Sequence, residues 1–201
     1  MMLLQTKALS RRYGGLTAVD RVDFSLPEGQ VHALIGPNGA GKSTFVGMVA
    51  GRIKASDGEV WFDGKDVTPL PAHARIRRGM AYTFQITAIY ARLSLFDNVA
   101  LALGSREEAD VLAVLDRVGL RDRADQIAGT LSYEIAGFKE LIGRLRAETT
   151  ILLIEHNMDV VMSLADAITV LETGRVLASG TPEEVRADAR VQHAYLGTAP
   201  C

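Results

Sequence analysis

Gly36-Pro37-Asn38-Gly39-Ala40-Gly41-Lys42-Ser43-Thr44 decides how the rest of the chain is read. The stretch fits G-x-x-x-x-G-K-[ST] at every fixed position. Three glycines allow the backbone to curl so that consecutive N–H groups point inward and form an anion-binding nest. A helix beginning there adds the positive end of its dipole. Lys42 can reach terminal phosphates as a point charge, and the Ser43 hydroxyl suits a Mg²⁺ ion. The flanks agree with this reading. Residues 30–35 form an apolar run with strand character, and Phe45, Val46, Met48 and Val49 give the apolar face of a helix. Strand, loop and helix together point to a nucleoside triphosphate.

A chain of 201 residues makes one domain, or one domain with a small appended lobe. With 48% hydrophobic and 23% charged residues it can bury a core. A net charge of -2 argues against nucleic acid as a partner. Cys201 is the one cysteine, which excludes a disulfide framework and a cysteine-rich metal site and fits a reducing compartment. No run of about 18 apolar residues occurs, so membrane contact is expected to be peripheral. There is no internal repeat and no low-complexity tract.

Along the first 65 residues, strands are expected at 3–9, 19–26, 31–35 and 59–62, punctuated by Gly14-Gly15, Glu28-Gly29, Asp57-Gly58 and Asp63-Gly64. A short basic helix is expected over 72–78, followed by a strand at 80–84. Apolar spacing turns helical over 95–120, and Ser132 can cap a helix that carries Ile135, Phe138, Leu141, Ile142 and Leu145 on one face. Residues 149–154 read as strand, 160–165 as helix and 167–171 as strand, with a hairpin turn at Glu172-Thr173-Gly174-Arg175. Thr181-Pro182-Glu183-Glu184 is a strong helix start. The order points to an α/β core with an antiparallel β lobe.

With these motifs in place, nearly the whole chain resembles the nucleotide-binding subunit of ABC transporters. The resemblance implies a P-loop NTPase core of ABC type, an N-terminal antiparallel β lobe and a truncated helical lobe. It divides a single domain into residues 1–70, 71–133 and 134–201. Tyr13, in Arg12-Tyr13-Gly14-Gly15, stands where the family stacks an aromatic ring on adenine; a tyrosine there could also simply pack on the β lobe. Gln85 matches the Q-loop glutamine, which touches Mg²⁺ and the attacking water, although a glutamine at a strand end can equally be a solvated loop residue. His156, after Ile151-Leu152-Leu153-Ile154-Glu155, matches the switch histidine that approaches the γ-phosphate, and could otherwise cap the strand end. By this resemblance Gln85 and His156 are the catalytic candidates. Tyr13 with Gly36 to Thr44 binds nucleotide, and Ser43 and Gln85 hold the metal.

Leu70-Pro71-Ala72-His73, Phe84-Gln85-Ile86-Thr87, Gly180-Thr181-Pro182-Glu183-Glu184-Val185 and Ala194-Tyr195-Leu196-Gly197 look like importers of branched-chain or other hydrophobic amino acids. An ATPase of the lipopolysaccharide-export type shares the Leu-Pro and Tyr-Leu-Gly features. ATP and Mg²⁺ are the implied cofactors. The implied partners are transmembrane permease subunits and a second ATP-binding subunit, and the implied place is the inner face of the cell membrane.

The chain departs from the family at one point. Leu131-Ser132-Tyr133 begins the signature, but Glu134-Ile135-Ala136-Gly137-Phe138-Lys139 follows at once and resembles the helix after the D-loop. A few dozen residues, including the Walker B strand with its Asp-Glu pair, are missing between Tyr133 and Glu134. Ile151 to Glu155 imitates Walker B but lacks the aspartate and runs into His156-Asn157-Met158-Asp159, as the histidine strand does. In the family the Walker B strand lies between the Q-loop strand and the histidine strand. Its loss should leave backbone groups unpaired or force the neighbours together. Three readings follow: an ATPase motor subunit, an ATP-binding subunit without turnover, or an internally deleted inactive copy. A GTPase or small-molecule kinase is a distant option, disfavoured by Tyr13, Gln85, His156 and the absence of Asn-Lys-x-Asp.

Overall fold

Two long strands open the chain, β1 (Met2–Tyr13) and β2 (Leu16–Pro27), folded back on each other across Gly14-Gly15 with Gly14 at φ 57°. The computed structural model describes residues 1–83, 89–131, 135–155 and 157–196, with backbone alone at 135–139, 195 and 196. Strand β3 (Val31–Ile35) is buried at all five positions, as a central parallel strand covered on both faces should be. It feeds α1 (Lys42–Val49), whose Phe45 to Val49 are all buried. Strands β4 (Asp57–Phe62) and β5 (Lys65–Asp66) turn at Asp63-Gly64, and the short α2 (Ala72–Ile76) follows. Next come α3 (Leu95–Leu103), α4 (Glu108–Arg117) and α5 (Ile135–Leu145), with 3₁₀ turns at Arg121–Arg123 and Ala128–Thr130. The chain then runs through β6 (Ile151–Ile154), α6 (Met158–Leu164), β7 (Ala167–Glu172) and β8 (Arg175–Gly180), and closes with α7 (Pro182–Ala187) and α8 (Ala189–Leu196).

The described chain divides into two compact units: Met1–Tyr82 with Thr149–Cys201, and Thr83–Glu148. The first carries two four-stranded sheets. One is antiparallel in the order β2-β1-β4-β5. The other has the order β6-β3-β7-β8, with β6 and β7 parallel to β3 and β8 antiparallel at one edge. Alternation along β3 serves two cores, because successive side chains point to opposite faces. Leu34 joins Phe24, Phe45, Val49, Val60 and Leu171 on one side, while Ala33 and Ile35 join Val161, Ile168, Val170, Val185 and Val191 on the other. The second unit is helical around Leu95, Ala100, Val111, Leu115 and Ala128. The α/β class and the antiparallel β lobe expected from the sequence are both present.

Local chemistry explains most of the boundaries. Thr173 and Gly174 both have positive φ (46° and 81°), the two-residue geometry whose twist suits the β7–β8 hairpin. Thr181 and Glu184 form a full capping box at the start of α7: the Thr181 hydroxyl accepts from the Glu184 N–H, and the Glu184 carboxylate accepts from the Thr181 N–H. The helical spacing over 95–120 is realised as two helices, α3 and α4. Gly104 takes the left-handed conformation at the end of α3 (φ 67°), a C-terminal stop that the apolar spacing alone does not reveal.

The strand expected at 80–84 is not formed over 80–83, and Phe84 lies outside the described residues. Met80 and Tyr82 pack on the same core as Leu152 and Ile154 of β6 but join no ladder. The reason is a missing partner. A strand needs a neighbour for its N–H and C=O groups, and β6 is the last strand of its sheet among the described residues. The neighbours have therefore not closed up around the deletion. Instead β6 has become an edge, and Ile151, Leu152 and Ile154 are half-exposed although the segment has the apolar composition of an interior strand.

Candidate functional site

The phosphate loop joins the buried end of β3 to the first turn of α1, and its shape is set by backbone packing. Gly36 is at φ 149°, and a side chain there would run into the Leu171 carbonyl. Gly41 is at φ 97° and stands against the Ala18 carbonyl, with the Val19 methyl 3.4 Å from where a Cβ would lie. Gly174, in the β7–β8 turn, donates its N–H to Ala40 O at 3.0 Å and accepts from Asp20 N at 2.8 Å. The loop is thus clamped between β2 and the β7–β8 turn. Only glycine can supply that conformation at that proximity.

Helix α1 begins at Lys42 with Gly41 as its N-cap, without a side-chain cap and without an acidic residue in the first turn. The N–H groups of Lys42, Ser43 and Thr44 have no acceptor within the helix, as at any helix start. Asn38 and Ser43 are exposed, Pro37, Lys42 and Thr44 half-buried, and Ala40 buried, while Gly39 bends at φ 82°. Lys42 Nζ donates to Gly36 O at 2.6 Å and Pro37 O at 2.9 Å, which folds the ammonium over the loop. Partial burial lowers its pKa from the ordinary lysine value. An anion entering here meets aligned N–H donors and a cation that its own carbonyls hold in place. The residues fit a phosphate group.

Tyr13 ends β1 opposite Leu16 and is 43% exposed. Three residues on from Leu16, Val19 pairs with Arg11 and lies against the Gly41 position of the phosphate loop. The Arg11 guanidinium lies 4.3 Å from the Tyr13 ring centroid and covers one face of the ring. Gln85 and His156, with Ser132, Tyr133 and Glu134 of the signature region, lie outside the described residues. The residues around His156 are informative nonetheless. Glu155 accepts from the Asn157 N–H at 3.0 Å, and Asn157 caps α6 by accepting from Asp159 N and Val160 N. Glu155 is engaged in this turn, in keeping with a histidine strand rather than a Walker B strand. Strand β6 lies directly beside β3, with Val31 opposite Ile151 and Leu34 opposite Ile154.

Two groups near the site escaped the sequence reading. One is Arg11, whose stacking on Tyr13 depends on strand alternation at the end of the hairpin. The other is Arg75 in α2, only 3% exposed. Its guanidinium donates to Met48 O at 2.8 Å and Val49 O at 2.5 Å, the last carbonyls of α1, and to Leu70 O at 2.9 Å and Thr68 O at 3.0 Å. A cation at a helix C-terminus complements the dipole there. Arg75 therefore caps the far end of the helix whose near end forms the phosphate loop. Behind β3, buried His32 bonds Thr169 Oγ1 at 2.8 Å, and Thr169 bonds Ser179 Oγ at 2.9 Å. Burial pushes the His32 pKa down to about 4, so the ring is neutral.

Comparison with known proteins agrees with this geometry. The family described as ABC transporter matches residues 19–153, and the family described as branched-chain amino acid ATP-binding cassette transporter matches residues 175–200. The chain is 33% identical to the high-affinity branched-chain amino acid transport ATP-binding protein BraF of Pseudomonas aeruginosa, with 98% of each chain covered. It is 32% identical to the corresponding protein LivG of Salmonella typhimurium, again with 98% of each covered. Among solved structures, a nucleotide-free ATP-binding cassette from an ABC transporter superposes with a TM-score of 0.88 at 25% identity, covering 98% of this chain and 100% of that one. The alignment with BraF runs over 251 positions whereas this chain has 201 residues, so at least 50 positions have no counterpart here. Since both chains are covered almost to their ends, the gap is internal. From the phosphate loop, the sheet order and these matches, the chain belongs to the ABC transporter family.

Proposed function

We propose that this chain is the ATP-binding subunit of a transport system for branched-chain or similar hydrophobic amino acids, and that it holds ATP without turning it over efficiently. The observation that carries the first half is the clamped glycine loop with Lys42 folded over it at the start of α1. Tyr13 would stack on the base, the N–H groups of residues 39–44 would hold the phosphates, and Lys42 would neutralise them. Ser43 and Gln85 would hold a Mg²⁺ ion, which would supply neutralisation of the phosphate charge. Among the described residues, no three His, Cys, Asp or Glu side chains converge on a metal. The cation would therefore come with the nucleotide.

The second half rests on the open edge of β6. No described strand lies beside it to carry an Asp-Glu pair, and Glu155 is occupied by the Asn157 N–H. Loss of a general base typically costs 10²–10⁴-fold in rate. His156 could still donate to the γ-phosphate, yet it cannot replace a carboxylate that orients and deprotonates water. Among the described residues no helix is long and apolar enough to cross a membrane. Attachment to the inner face of the membrane would come through permease subunits, with a second ATP-binding subunit completing the assembly. The test is Mg²⁺-ATP turnover of the purified chain with Lys42→Ala as control. The reading expects binding that depends on Lys42, with turnover no higher than in the variant. Turnover that Lys42→Ala abolishes would overturn the second half, and no Lys42-dependent binding would overturn the first.

A further inference from the structure

We propose that Arg11 is a positioning residue for the nucleotide base, a cationic back-plate that fixes the Tyr13 ring from the side opposite the ligand. The guanidinium sits 4.3 Å from the ring centroid and is itself held, because its Nη1 donates to Lys54 O at 2.9 Å. Its Nε is buried without a hydrogen-bond partner among the described residues. A guanidinium over an aromatic face meets the ring's negative face with its charge, here at the expense of one donor. The surrounding backbone is anchored as well. Arg12 N donates to Ser56 Oγ at 3.0 Å, and Arg12 pairs with Asp57 at 3.9 Å. The end of β1 is thereby fastened to the segment that follows α1.

The consequence is directional. Tyr13 has one ring face against Arg11 and is 43% exposed overall, so the other face is the one open to a planar ligand. A tyrosine at the tip of a hairpin would otherwise sample several rotamers and lose that freedom on stacking. A ring already held by a cation loses less, which raises affinity without adding a ligand contact. Arg11 also pairs across the hairpin with Val19, which abuts Gly41. The plate is thus built on the same strand pair that backs the phosphate loop.

This inference rests on Tyr13 being the base platform, so the experiment separates the two. Affinities for Mg²⁺-ATP and for inorganic tripolyphosphate, which has no base, are measured by calorimetry. The chains compared are the native one, Tyr13→Ala, Arg11→Gln, Arg11→Lys and Tyr13→Ala with Arg11→Gln. Arg11→Gln is expected to weaken ATP on the order of three- to fivefold and leave tripolyphosphate unchanged. Arg11→Lys, which keeps the charge without the plane, should fall between, and it carries the test if Arg11→Gln does not fold. In the Tyr13→Ala background Arg11→Gln should have no further effect. An unchanged ATP affinity in Tyr13→Ala would overturn the platform and the inference together. A base-specific loss in Tyr13→Ala with none in either Arg11 variant would overturn the inference alone, as would equal losses for ATP and tripolyphosphate.

Discussion

Replacing Arg75 with methionine should be among the most damaging single changes in the chain, and the reason can be followed bond by bond. Methionine keeps the aliphatic packing but removes every donor. Met48 O retains a second donor, the Gly51 N–H at 3.1 Å, whereas for Val49 O, Leu70 O and Thr68 O the only donor described is Arg75. Three carbonyls beside a buried site would lose their partner at roughly 1–3 kcal/mol each before water or a small shift compensates. A net loss of about 3–5 kcal/mol is expected, a large part of the 5–15 kcal/mol typical of a domain. With an m-value of about 2 kcal/mol/M, the urea midpoint should fall by roughly 1.5–2.5 M. Arg75→Lys should recover about half, because an ammonium keeps the charge at the end of α1 but cannot span carbonyls from three segments. Unfolding can be followed through Trp61, the one tryptophan of the chain. A midpoint shift below about 0.5 M for Arg75→Met, or no difference between Arg75→Lys and the native chain, would refute the capping role.

Other outcomes follow from single groups. His32 has a folded pKa of about 4 against 6.5 when unfolded, so the unfolded state binds its proton first as pH falls; stability should decline by up to about 3 kcal/mol between pH 6.5 and 4, and unfolding curves of His32→Gln should lack that part of the slope. Gly41→Ala forces a side chain into a left-handed backbone position against the Ala18 carbonyl, and should cost at least about 2 kcal/mol and abolish stabilisation by ATP in a thermal-unfolding titration. Thr181→Ala removes the capping box of α7 and should lower stability by about 1 kcal/mol in urea unfolding without changing nucleotide affinity.

What could be read from the sequence was the chemistry that is local in the chain. The phosphate loop, the Thr181 cap and the Thr173-Gly174 turn each depend on a few adjacent residues, and each stands where the residue types place it. Segment 80–83 could not be read this way. Its strand-like composition is real, but strand formation depends on a neighbour that the internal gap removed. Segment 95–120 is helical as its spacing suggests, but the break at Gly104 was not legible, since the apolar period continues through a residue where the helix ends. Arg75 and Arg11 left no local trace. Arg75 bonds carbonyls up to 27 positions away, and Arg11 meets Tyr13 only because alternate residues of an extended strand share one face. The deletion itself was legible because the family order of motifs is strict. Its effect on β6, an apolar strand left at an edge, appears only in the sheet order.

The central claim is that the nucleotide pocket survives the missing segment. Thermal unfolding of the purified chain with and without Mg²⁺-ATP, beside Lys42→Ala, tests it most directly. At about a hundred times its dissociation constant ATP should add roughly 2.7 kcal/mol of stability to the native chain and none to Lys42→Ala. A transition that ATP does not move, or moves equally in the variant, would contradict the claim.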